Sequence, residues 1–167
     1  MKLDLRKEFA EVYCYIADRV RQYDPTKNDG PGEGGPISMI VIGFEYGQSA
    51  WVVAVFDTRP DAEPDGEWNS HIEGQELERP LWLEAGENLS EGPVTLIQLD
   101  GSERVLEPGS ELAESLGEIL KTVLLKARGD GLFSKLPKAS ECEIAVEHQA
   151  GAYGWPAYED RKKENLA

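Results

Sequence analysis

The chain has 167 residues, 40% of them apolar, with 17 basic against 32 acidic side chains and a formal net charge of −15. The length fits a single domain over residues 1–167 with its own hydrophobic core. The charge argues against an extended phosphate-binding face, so no nucleic acid and no anionic membrane is expected as a partner, whereas a basic protein partner suits it.

The first predicted element is a helix over 5–23. Leu5, Phe9, Val12, Ile16, Val20 and Tyr23 recur at steps of three and four and fall on one face. Asp4 can cap its start by accepting a backbone N–H. Asp24-Pro25 should end it, because a residue before proline is pushed out of helical geometry. Tyr13 and Tyr15 flank the stripe as partly buried border residues, and Cys14 lies near the apolar face as inert core.

Residues 24–36 are rich in glycine and proline and read as a flexible loop without chemistry. They lack the Gly-Lys-Ser/Thr of a phosphate-binding loop, and Asp29 and Glu33 would repel phosphate. Two almost unbroken apolar runs follow, Ile37–Phe44 and Ala50–Phe56. They predict central strands buried on both faces, paired antiparallel across the short connection Glu45–Ser49.

An acidic loop leaves the second run. It carries Asp57, Asp61, Glu63, Asp65 and Glu67, with Arg59, and is bordered by Trp68. Asp61-x-Glu63-x-Asp65-Gly66 copies the first half of a calcium-binding loop, but the closing position is Ile72 where a bidentate glutamate is required. No metal is therefore expected there. Pro60 and Pro64 stiffen the backbone, and Arg59 can neutralise one carboxylate. Alternation over Glu67–Glu73, with Trp68, Ser70 and Ile72 pointing one way and Asn69, His71 and Glu73 the other, predicts a strand with one wet face.

Pro80-Leu81-Trp82-Leu83 fits a short strand or a turn of helix equally well. Val94–Leu99 predicts a strand, Asp100-Gly101 a type I′ turn, and Ser102–Leu106 the partner strand. Over 110–128, Leu112, Leu116, Ile119, Leu120, Val123 and Leu124 predict a second helix, with Ser110 as its cap and Gly129 as its end. Residues 129–140 read as a loop, and Cys142–His148 as a last, one-sided strand with Cys142, Ile144, Val146 and His148 on one face. The aromatic segment 151–158 is irregular, and 159–167 should fray.

These elements predict an α+β fold. A mostly antiparallel sheet of about five or six strands carries two amphipathic helices, 5–23 and 110–128, on one face. The first residues lack the apolar core of a signal peptide, and two well-separated cysteines form no disulfide framework, so a cytoplasmic protein with reduced thiols is expected.

The residues offer little for catalysis. No Gly-x-Ser-x-Gly elbow and no His-Glu-x-x-His helix is present. Unless their strand ends early, Cys142 and His148 are too far apart along it to share a metal or form a nucleophilic pair. No cofactor is expected. In size, charge and lack of catalytic motifs the chain resembles the immunity proteins, small acidic bacterial proteins that cap a toxin. The resemblance covers no residue motif and carries over no site. The expected function is non-enzymatic binding of a basic protein through Asp57, Asp61, Glu63, Asp65, Glu67, Trp68 and Glu73, with Trp68 as the aromatic anchor. The alternative is a small enzyme or ligand-binding domain with a site near His71 and the acidic loop 57–67.

Overall fold

In the computed structural model, which describes residues 1–27, 34–60 and 75–156, a short strand β1 (Lys2–Asp4) runs directly into α1 (Leu5–Gln22). Asp4 makes the transition: its carboxylate accepts the Arg6 backbone N–H at 3.1 Å and the Arg6 guanidinium at 2.8 and 2.9 Å. The helix ends at Tyr23, whose ψ of 124° leaves helical geometry before Asp24-Pro25. Its buried line is Leu5, Glu8, Val12, Ile16 and Arg19. Phe9 and Val20, expected in the stripe, pack at its border. Two charged side chains take their places because each finds a partner, described below. Cys14 is exposed, which corrects its expected place in the core.

The central strands are β2 (Ile37–Glu45) and β3 (Trp51–Asp57), paired antiparallel from Met39↔Asp57 to Glu45↔Trp51. They are buried on both faces, as the unbroken apolar runs require. Ile40, Ile42, Phe44, Val52, Ala54 and Phe56 face the helices. Met39, Val41, Val53 and Val55 form a second cluster on the opposite face, bordered by Trp51. The two-residue strand β4 (Leu77–Glu78) pairs with the start of β3.

The segment with two possible readings is a helix, α2 (Pro80–Glu91). Pro80 stands in its first turn, where its missing N–H costs nothing. Trp82, Ala85 and Leu89 are its buried face. Then come β5 (Val94–Ile97) and β6 (Glu103–Leu106), an antiparallel hairpin. Gly101 donates to the Gln98 carbonyl at 3.0 Å, so Leu99 and Asp100 are the central turn residues, and the positive φ falls on Gly101 at 85°. This is a three-residue connection closed by a left-handed glycine in place of the expected type I′ turn. Asp100 accepts the Ser102 N–H at 2.9 Å and hydroxyl at 2.6 Å.

The long helix α3 spans Leu112–Gly129. Its N-cap is Glu111, without a side-chain capping bond, and not the expected Ser110. A single 3-10 turn, Leu132–Lys135, leads to β7 (Lys138–His148), which begins inside the expected loop. A final two-residue strand, β8 (Gly154–Trp155), lies in the segment expected to be irregular.

The strands form two sheets among the described residues, where one was expected. The larger has the order β4-β3-β2-β7-β8, the smaller β1-β5-β6. The β2–β7 and β1–β5 pairs are parallel and the others antiparallel. β7 is thus an interior strand between β2 and β8, with Cys142, Ile144 and Val146 on the helix-facing side as the alternation predicts, while Ala145 is buried on the opposite side. The fold class is α+β as expected, and α1, α2 and α3 share one apolar cluster with the helix-facing side of the larger sheet. Among the described residues no helix is long and apolar enough to cross a membrane.

Candidate functional site

Of the residues assigned to the acidic binding surface, Asp57 lies within the described structure. Asp61, Glu63, Asp65, Glu67, Trp68 and Glu73 lie outside it, as do His71 and the strand expected over Glu67–Glu73. Asp57 is not a presented carboxylate. It is 2% exposed and clasped by Arg59, whose Nη2 stands 2.7 Å from Oδ2 and whose backbone N–H donates to Oδ1 at 2.9 Å. The arginine expected to neutralise one carboxylate of the loop therefore neutralises this one. The Ser38 hydroxyl, on β2, donates to the carbonyls of Asp57 at 3.1 Å and Arg59 at 2.5 Å. The end of β3 is tied back to its neighbour strand.

The chain on the other side of the acidic segment is tied as firmly. The Tyr15 hydroxyl, on α1, donates to the Gln75 carbonyl at 2.7 Å and accepts the Ala54 N–H of β3 at 3.1 Å. Burial pushes the Tyr15 phenol above its ordinary pKa, so it stays a donor through the neutral range. Arg19 Nη2 donates to Gln75 Oε1 at 2.6 Å. A few residues on, Arg79 donates its backbone N–H to Ala50 at 2.8 Å. Its guanidinium bonds Glu8 through Nε at 2.9 Å and through Nη2, and Glu11 at 2.5 Å. The Trp82 indole N–H donates to the same Glu8 oxygen at 2.6 Å. Glu8 and Arg79 are 1% and 6% exposed, so this is an ion pair withdrawn from water and satisfied on several sides. No periodicity could have found it, because its members are 71 residues apart.

His148 ends β7 beside the end of β2, at the carboxyl ends of two parallel strands. Its Nδ1 accepts the Ala152 N–H at 3.3 Å, which places the proton of the neutral ring on Nε2. Nε2 stands 3.3 Å from Glu45 Oε1, close enough for attraction but off the line of a hydrogen bond, and is itself buried. The Glu45 oxygen also accepts the N–H groups of Tyr46 and Gly47, both at 2.7 Å. The ring lies between Phe44 and Tyr46, with centroids 5.0 and 5.1 Å away. The histidine is 7% exposed. It clasps β2 to β7.

A groove of about 400 Å³ separates the tip of the β5–β6 hairpin from α3. Gln98, Leu99, Arg104, Glu114, Glu118 and Ile119 line it. Glu118 also accepts the Tyr153 hydroxyl at 2.8 Å, and burial, helped by that carboxylate, pushes the phenol well above its ordinary pKa. Tyr153 lies flat against α3 at Gly117, where a Cβ would come within 2.4 Å of the ring.

Among the described residues no three His, Cys, Asp or Glu side chains converge on a point that could hold a metal. Cys142 is half-buried, and burial raises its thiol above the ordinary value, away from the thiolate a nucleophile needs. No known family model, curated protein or solved structure matches this chain.

Proposed function

We propose that the protein is a non-enzymatic binding module for a basic protein partner, of the kind an immunity protein represents, and that the segment around Asp57–Glu73 is its contact surface. The observation that carries this is the pair of hydrogen-bonded stems at Asp57–Arg59 and Gln75–Arg79, which flank the most acidic stretch of the chain. Stems held by buried or half-buried partners lower the ordering cost of binding through the residues between them. Within this function Asp57 is a stem residue. Asp61, Glu63, Asp65, Glu67 and Glu73 supply the charge, and Trp68 the anchor. The net charge of −15 steers a cationic partner and repels nucleic acid and anionic lipid. The cytoplasm is the compartment this function implies, since both cysteines remain free thiols.

The test is comparative capture from the source cell. The wild-type protein should retain a basic protein that is released by high salt. The same bait carrying Asp61→Asn, Glu63→Gln and Asp65→Asn should retain much less of it. Equal retention by both baits would remove the acidic segment from the interface.

A further inference from the structure

Among the described residues, no strand pairs with the outer edge of β6, which carries a row of backbone hydrogen-bonding groups. Thr95 gives its N–H to Met1 at 3.0 Å on the β1 side of β5, and Gln98 gives its N–H to Ser102 at 2.8 Å. With the register Leu96↔Arg104 and Val94↔Leu106, alternation makes these the pairs that exchange bonds between β5 and β6. The N–H and C=O of Glu103 and Val105 then point away from β5. β6 ends the order β1-β5-β6, and among the described residues nothing pairs with that side. Val105 is 53% exposed there, and Leu99, at the hairpin tip, is 40% exposed.

We infer that β6 takes up an extended segment of a partner as a fourth strand of the smaller sheet, and that this segment alternates basic and β-branched residues. Its basic character rests on the charge argument of the proposed function, and the structure adds the mode. Val105 and Glu103 share the solvent face of the sheet with Lys2, which bonds Glu103 at 2.6 Å. An added strand's side chains on that face would lie beside Val105, where β-branched residues pack well. Its side chains on the other face would reach over the groove, whose charged lining is Asp100, Glu114 and Glu118 against Arg104. Lysine fits there, with its aliphatic stem along Ile119 and Leu99 and its ammonium among the carboxylates. A second copy of this chain would bring another charge of −15 to the same edge, so a partner of opposite charge is the favoured occupant. Main-chain bonds would supply affinity and the alternate side chains specificity.

The probe is a short labelled peptide alternating lysine and valine, followed by fluorescence anisotropy. Wild-type protein should bind it, and Val105→Pro should weaken binding by about tenfold or more, since it deletes the outward N–H while sparing the bonds to β5. Val105→Thr, which keeps the N–H, should bind like wild type. The same peptide N-methylated at alternate nitrogens should bind wild type as poorly as the intact peptide binds Val105→Pro. That comparison reads the edge even if the proline variant does not fold. The Asp61→Asn, Glu63→Gln, Asp65→Asn protein should still bind the peptide. Equal binding of the methylated and intact peptides, or no binding by wild type, would overturn the inference. Peptide binding lost in the triple variant but kept in Val105→Pro would also overturn it, while leaving the acidic-segment function standing.

Discussion

Gly117 shows how one residue decides the packing of two elements. An alanine in a helix interior is favoured over glycine by about 1 kcal/mol, so Gly117→Ala would stabilise a free helix. Here its methyl would meet the Tyr153 ring at 2.4 Å, and overpacking of that kind costs about 1–3 kcal/mol. The clash should win, giving a net loss measurable by urea denaturation. In a Tyr153→Ala background the same change should become neutral or stabilising, and a loss of equal size in both backgrounds would refute the assignment. Asp4 is the second case. Its bonds to Arg6 lower its pKa from 3.8 to about 2. A carboxylate depressed on folding contributes stability that is complete above the unfolded value and lost as the pH falls toward the folded one. NMR titration of the Asp4 carboxyl carbon should therefore show a midpoint near 2, and a midpoint at 3.8 would mean that the cap is absent. Asp57 and Cys14 mark the limit of reading residues from sequence. One looked like a presented acid and is buried against Arg59, whereas the other looked like core and is exposed. Depth of burial made the difference in both, since it depends on how distant elements pack and not on the residue's own neighbours in the chain.

Elements whose signal lies in their own stretch of chain were legible. α1, β2, β3, β5 and α3 follow apolar runs or periodicities that need no distant partner, and β6 follows from the turn after β5. Val53 illustrates this: it is 2% exposed in the cluster on the far face of the larger sheet, and Val53→Asp should abolish cooperative thermal unfolding. A melt like that of wild type would contradict the double burial. α2 was ambiguous because its apolar residues are few and Gly86 interrupts them. What holds it is Arg79, placed before its first turn and bonded to Glu8 and Glu11 of α1. Removing one member of a buried pair costs about 3–5 kcal/mol, because the other charge is stranded. Arg79→Met should thus be strongly destabilising by chemical denaturation, and adding Glu8→Met should recover part of the loss. Simple additivity of the two changes would show that they do not act as a pair. The split into two sheets was not legible either. The pairing of β1 with β5 and of β2 with β7 joins segments far apart in the chain, which hydrophobic patterns do not register.

For the whole molecule, the excess of acid over base is the feature that any function must accommodate. The described residues hold two hydrogen-bonded stems, at Asp57–Arg59 and Gln75–Arg79, and among them the outer edge of β6 has no neighbouring strand. Charge at that density acts mainly on the rate of encounter, whereas an aromatic anchor, the role proposed for Trp68, acts on the lifetime of a complex. Trp68→Ala should therefore raise the dissociation rate with little change in association. The central claim, that the acidic segment steers a basic protein, is tested most directly by the association rate of the captured partner as ionic strength rises. Screening shortens the reach of charge from about 10 Å at 0.1 M salt to about 3 Å at 1 M. The wild-type rate should fall steeply over that range. The rate for the Asp61→Asn, Glu63→Gln, Asp65→Asn protein should start lower and change less. Parallel salt dependences for the two proteins would contradict the claim.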